Sequence, residues 1–363
     1  MSLNRLSGFL LAGALSLMGC TGDNVTEVIY TKTDKPISDR VGPVSQYGQL
    51  QAGAINGIGG IYGSCKGVAE GEEVQLRGMS LYWSLIPQAT IYYSDAGITA
   101  MVDNMKIQII RAAIGTEENW GGGVKGFIKD PDGQRELIEA AVRAAIRNDI
   151  YVIIDWHSHT ATNQQEEAVA FFTEMAQKYG GYNHVIFEVF NEPTNQSWDD
   201  IKAYAEAVIG AIRLYSDNLV LVGNPTWDQT PSKAIGKEVQ DPANNVAYTF
   251  HYYANTHSVS TQGKNAEKAL NAGLSIFVSE WGTGNADGGG VPKVDRNDQW
   301  QEWMDKYKIS SANWSASRVN EGTAAFAQEA TVDSLVYSVS GELVRSYLEK
   351  NPEVDSYVAC KAK

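Results

Sequence analysis

Two segments decide the architecture: Ile150-Tyr151-Val152-Ile153-Ile154-Asp155-Trp156-His157, and Val185-Ile186-Phe187-Glu188-Val189-Phe190-Asn191-Glu192-Pro193. Each opens as an apolar run of strand length without the polar alternation of a half-exposed strand, and each closes on polar residues. Such a run marks a parallel strand covered on both faces, and the sequence between the two is long enough for a helix. Working outward, runs of the same kind occur at residues 74–81, 107–114, 219–222, 246–250, 275–279 and 309–314. Amphipathic stretches separate them. In residues 135–149 the apolar positions Leu137, Ile138, Ala141, Val142, Ala145 and Ile146 recur at helical spacing. In residues 198–215 the stripe is Ile201, Tyr204, Ala205, Val208, Ile209 and Ile212. Strands alternating with helices over roughly 250 residues predict a (β/α)8 barrel. A doubly wound open sheet is the competing architecture, but no G-x-G-x-x-G or phosphate-binding loop follows the first run.

Composition narrows the partners. The 363 residues carry a formal charge of −14, which repels a polyanion and excludes nucleic acid as the natural ligand. Nine Trp and eighteen Tyr supply flat faces with a polar edge, well suited to sugar rings as well as to a core. Residues 1–20 read as a signal peptide: Arg5 is the positive start, an apolar stretch follows, and Leu17-Met18-Gly19-Cys20 resembles a lipobox with Cys20 as the lipidated residue. That stretch is too short for a permanent membrane span. The chain is therefore expected to be exported, as an outer-membrane or cell-surface lipoprotein or otherwise secreted, with its N-terminal lipid as the sole membrane contact. Residues 21–43 read as a flexible tether and 44–363 as one domain, opened by a short β-hairpin cap. Cys65 and Cys360, near opposite ends of that domain, are candidates for a disulfide in an oxidising compartment.

In a barrel of this kind, working groups gather at the carboxyl ends of the strands. Arg111, His157, Asn191, Glu192, His251, Tyr253, Glu280 and Trp314 all fall there. Two carboxylates on one rim, Glu192 after the fourth strand and Glu280 after the seventh, are what glycoside hydrolysis needs. One gives a proton to the leaving oxygen and the other attacks the anomeric carbon, with their separation deciding retention or inversion. Glu188 shares strand parity with Glu192 and reads as a buried partner deeper in the barrel. Asp155, His157 and His159 also have the H-x-H spacing of a metal site, which leaves a metal-dependent hydrolase as a distant alternative.

The segments R-A-A-I-G (111–115), D-W-H (155–157), F-N-E-P (190–193), H-Y-Y-A (251–254) and S-E-W-G (279–282), in this order and on these strands, resemble glycoside hydrolase family 5 of clan A, in its bacterial endoglucanase branch. The resemblance covers about residues 74–314. It implies a retaining endo-β-1,4-glucanase acting on β-glucan polysaccharide or oligosaccharide without a cofactor, with a mannanase or xyloglucanase as the alternative on the same scaffold, and a monomer. It assigns Glu192 as acid/base and Glu280 as nucleophile, with Arg111 beside Glu280 keeping it ionised. Asn191 would hold the sugar 2-hydroxyl, His251 would lie close to Glu192, Tyr253 would bond Glu280, and His157 would contact the sugar. Trp314 would be a stacking platform, Trp83 and Trp227 would line neighbouring subsites, and Glu321 fits the family pattern. Trp120 is a candidate for the cleft wall. Two positions depart from the pattern: Ser311 where Trp is frequent, and Val319, with Arg318 beside it, where a sugar-binding Lys is frequent.

Overall fold

The computed structural model describes residues 37–117 and 124–361. The signal segment with Cys20, residues 21–36 of the tether, and Trp120 lie outside the described residues.

Strands β1 (Leu50–Ile55) and β2 (Ile58–Gly63) form an antiparallel hairpin. The two residues between them, Asn56 and Gly57, both have positive φ (53° and 79°), the backbone that a tight two-residue hairpin turn requires. Eight parallel strands then close into a barrel: β3 (Arg77–Leu81), β4 (Ile109–Gly115), β5 (Tyr151–His157), β6 (Val185–Glu188), β7 (Val220–Val222), β8 (Val246–Tyr253), β9 (Ile276–Gly282) and β10 (Ser311–Ala316), which pairs back onto β3. The eight apolar runs thus become the eight barrel strands. Helices pack around them. The helix Pro131–Arg147 starts where Asp130 accepts the Gly133 N–H and Pro131 opens the first turn, four residues before the apolar stripe alone suggests.

The barrel interior has two storeys. At the amino ends of the strands, Ile109, Ile153, Ile186, Leu221, Ala247 and Phe277 pack with Leu50 and Ile61 of the hairpin, so the cap is a dry plug. Above them, at the same inward parity, stand Arg111, Asp155 and Glu188, all fully buried. Residues 38–43, assigned to the tether by composition, are docked on the body. Asp39 N–H donates to Arg147 O at 2.9 Å, and Gly42 N–H donates to Asp149 Oδ2 at 2.6 Å. A disulfide joins Cys65 to Cys360 at the barrel floor, where Cys360 N–H also donates to Ser45 O.

Candidate active site

A bulge in β9 makes the site. Thr249 of β8 pairs with Phe277, but His251 pairs with Glu280, so β9 spends three residues where β8 spends two. On the other side, Ser311 pairs with Val278 and Asn313 with Trp281, the same surplus. An extra residue breaks the in–out alternation, which lets neighbouring side chains face one interior. Ser279 and Glu280 both do so. Ser279 Oγ donates to Glu188 Oε1 at 2.7 Å, while Glu280 meets Arg111 and Tyr253.

Arg111 is the hub. Its Nε and Nη1 donate to Glu188 Oε2 (2.7 Å) and Glu280 Oε2 (2.8 Å), and Nη2 donates to Asn191 Oδ1 (2.6 Å) and lies 2.9 Å from Asp155 Oδ2. Burial would lower its pKa, but Asp155, Glu188 and Glu280 more than offset that, and the guanidinium stays charged. Glu188 is therefore a structural counter-charge.

The ladder of β6 ends at Glu188, and the chain turns outward through residues 189–193. Asn191 N–H donates to Trp156 O, and Glu192 N–H donates to Ser158 O. This turn brings Glu192 to the rim. One of its carboxylate oxygens lies within 4.8 Å of one of Glu280, and a ring nitrogen of His251 lies within the same distance of both. His251 Nδ1 is 3.0 Å from Glu192 Oε1, and His159 Nε2 is 3.3 Å from Glu192 Oε2. Tyr253 OH donates to Glu280 Oε1 at 2.7 Å. It can approach because Gly282 has no side chain: a β-carbon there would sit 2.2 Å from Tyr253 Cδ1.

The charges of the two carboxylates differ from expectation. Burial would raise Glu192, but hydrogen bonds from His159 and His251 hold it down at about 2. Glu280 lies above its ordinary value because burial and the Glu192 charge outweigh His251, Arg111 and Tyr253. Arg111 alone does not keep Glu280 low. Both imidazoles are raised despite burial: Glu192 dominates at His159, and Asp228 leads at His251, followed by Glu188 and Glu192. The Glu192 carboxylate thus favours protons on its two neighbouring histidines.

Above the carboxylates lies an aromatic wall. Trp314 is stacked parallel to His157 at 5.4 Å, and Trp83 meets the same imidazole edge-on at 4.1 Å. Tyr82, which sequence reasoning passed over, lies 5.0 Å from Trp314 and donates to Glu321 Oε1 at 2.6 Å. Trp227 is 47% exposed on the loop after β7, a flat apolar face turned to solvent. Arg318 donates to Ala330 O at 2.9 Å, which ties it to its own loop.

The Asp155, His157 and His159 set does not converge on one point. His157 Nδ1 is 2.6 Å from Asp155, itself paired to Arg111, and His159 faces Glu192. Two other sets have donor atoms close enough for an ion, Glu192 with His251 and Glu280, and Glu188 with Asp228 and His251. In both, a carboxylate already holds Arg111, so a cation would compete with a guanidinium. Sequence reasoning missed Ser279, Asp228 and Glu117, which accepts hydrogen bonds from Ser158 Oγ and Thr160 Oγ1. Ser279 was visible within S-E-W-G, whereas Asp228 carried no signal.

Comparison with known proteins agrees with this geometry. Endoglucanase Z of Dickeya dadantii (strain 3937) is 42% identical over 280 residues, which cover 76% of this chain and 62% of the relative. The chain thus spans less than two thirds of that relative's length. A solved structure from Cytophaga hutchinsonii superposes with a TM-score of 0.75 at 36% identity, covering 84% of this chain and 96% of its own. The catalytic domain of Thermobifida fusca endoglucanase Cel5A, solved with cellotetraose, gives 0.72 at 29% identity, covering 85% and 100%. Residues 68–320, which hold the whole barrel from β3 to β10 and the two facing carboxylates, match the cellulase family, and the chain belongs to that family, glycosyl hydrolase family 5.

Proposed function

We propose that this chain hydrolyses internal β-1,4 linkages of cellulose-like glucans with retention of anomeric configuration. The observation that carries the reading is the gap between Glu192 and Glu280, with carboxylate oxygens within 4.8 Å. Retaining enzymes hold the pair at about 5–5.5 Å, whereas inverting enzymes need about 6.5–9.5 Å to admit a water. The endoglucanase names of its relatives, and the cellotetraose in one of them, favour a β-glucan as the substrate.

In this reading Glu280 attacks the anomeric carbon while Glu192 gives a proton to the departing oxygen, and a glycosyl ester forms on Glu280. Glu192 then takes a proton from water, the water oxygen bonds the anomeric carbon, and the ester opens to regenerate both carboxyls. Glu192 must be protonated for the first half, and His251 and His159 hold protons 3.0 and 3.3 Å away. Pair and proton titrate as a unit. Arg111 and Tyr253 aim the Glu280 oxygens, and Asn191, locked by Arg111, faces the sugar 2-hydroxyl. Buried His157 is uncharged and presents a neutral ring between Trp83 and Trp314.

The test is proton NMR of cello-oligosaccharide cleavage, where the β-anomer is expected to appear first. Glu280→Gln is expected to reduce kcat at least 10³-fold, on the order expected for loss of a catalytic nucleophile. First appearance of the α-anomer, or full activity in Glu280→Gln, would overturn the reading. A polysaccharide panel including mannan and xyloglucan checks the substrate. We also propose a lipid on Cys20, for which palmitate labelling abolished by Cys20→Ala is the measurement.

A further inference from the structure

Asp228 has no part in the chemistry above, yet it is fully buried against it. It ends a turn after β7 in which Thr226, Trp227 and Asp228 take three successive left-handed conformations, with φ of 66°, 50° and 57°. Each is unfavourable for a residue with a β-carbon, so the surrounding contacts must hold the turn. One such contact is its own side chain: Asp228 Oδ1 accepts the Asn224 N–H at 2.6 Å. The other oxygen, Oδ2, faces His251 Nε2 at 3.4 Å, and the Thr249 hydroxyl also bears on this carboxyl. Among the described residues, His251 is the ion-pair partner that Asp228 has.

The bonds around His251 fix its tautomer. Ser279 Oγ spends its single proton on Glu188 Oε1, so it accepts from His251 Nε2–H at 2.9 Å. Nε2 is therefore protonated in either charge state. What remains is one proton between His251 Nδ1 and Glu192 Oε1, 3.0 Å apart. Its retention depends on the charges around the ring. Glu188 and Glu192 face it from β6 and the turn after it, Glu280 from β9, Asp155 and His157 act from β5, and Asp228 comes from the turn after β7. Glu188, Glu280 and Asp155 share the single positive charge of Arg111 as an ion-pair partner. Asp228 does not.

We propose that Asp228 is a positioning residue for the acid/base, its carboxylate holding a proton on the Glu192–His251 pair while its tie to Asn224 fixes the turn that presents Trp227. The proposal rests on the reading of Glu192 as acid/base. Burial opposes charge on both partners: it lifts the Asp228 carboxyl well above the usual range and works against the His251 cation. Asp228 is the largest influence restoring that cation. The two bind protons jointly, and an amide at position 228 removes that share of the affinity.

The experiment separates the two functions of the carboxylate. Asp228→Asn keeps an oxygen for the Asn224 N–H and removes the charge. We expect the alkaline limb of kcat/KM to move down by about one pH unit, the acid limb to stay, and KM to change less than about twofold. Asp228→Ala also frees the turn, so KM should rise several-fold in addition. A folded Asp228→Asn enzyme with an unmoved alkaline limb overturns the proposal. Nitrogen NMR of the wild-type imidazoles decides independently of whether either variant folds. His251, assigned through its backbone, should remain doubly protonated at pH 7, and a neutral ring there overturns the proposal. If the wild type cleaves no glucan at all, the hydrolase reading fails by itself, and the NMR titration still judges the Asp228–His251 pairing.

Discussion

Gly282 shows how much a single atom decides at the rim. The Tyr253 ring occupies the volume that a β-carbon at 282 would need, and only from there does its hydroxyl reach Glu280 at 2.7 Å. Gly282→Ala is expected to lower kcat about tenfold, the equivalent of one hydrogen bond of roughly 1.4 kcal/mol, with KM little changed. Initial rates beside those of Tyr253→Phe check it, since both variants remove the same bond. The two carboxylates predict a bell-shaped pH dependence. Glu280 must be ionised and lies above its ordinary value, so the acid limb should fall above pH 4.5. The proton beside Glu192 sits with His251, whose pKa is raised well beyond 6.5, so activity should persist through pH 7 before it declines. A kcat/KM profile on a soluble cello-oligosaccharide measures both limbs. These residues were named by their motifs. What the motifs left open was the protonation order, because it is set by His159, Ser279 and Asp228, three neighbours that only the folded chain assembles.

Among the elements, the strands were the legible part. Parallel strands buried on both faces have no polar face to confuse the pattern, and all eight runs paired as expected. The ends were less legible. The run 185–190 continues in apolar residues, yet its ladder stops at Glu188 because residues 189–193 must swing outward to bring Glu192 to the rim. The β9 bulge is likewise silent in the sequence, since nothing in Ile276–Gly282 announces an unpaired residue. Segment 38–43 was read as tether from its polarity, and Asp149 explains why it docks. This residue follows the helix Pro131–Arg147. Its Oδ2 accepts Gly42 and Ser45 N–H at 2.6 and 3.0 Å, and its Oδ1 is 3.0 Å from His184 Nε2. Burial would raise its carboxyl, but the bonds from His184, Ser45 and Gly42 prevail and hold it below the usual range. A depressed pKa stabilises the fold above the unfolded value of about 4 and loses that contribution as pH falls through the folded value. Asp149→Asn, which tolerates the positive φ of 55° at this position, should cost about 2 kcal/mol at pH 7. In urea titrations its gap to the wild type should shrink below about pH 4.

For the molecule as a whole, the hairpin plug and the polar rim divide the barrel into a floor that stabilises and a mouth that reacts. The disulfide belongs to the floor. Replacing Cys65 and Cys360 with Ser should lower the unfolding free energy by about 3 kcal/mol, the usual scale for loss of a native crosslink that restrains the unfolded chain. Thermal melts with and without reductant measure it, and kcat should not change. The pairing could be read in the sequence from two cysteines near the ends of one domain. Substrate preference could not, because it resides in loops whose shapes follow from contacts such as Tyr82 with Glu321 rather than from a periodic pattern.

That same bond has a topological effect. Since every barrel strand from Arg77 to Ala316 lies between Cys65 and Cys360, the disulfide closes the barrel-forming part of the oxidised protein into a covalent ring. A protease that severs any one rim loop opens the ring but releases no fragment. Nicked enzyme should migrate as one species on a non-reducing gel and separate into two only after reduction, and its halves stay together to hold the cleft in place.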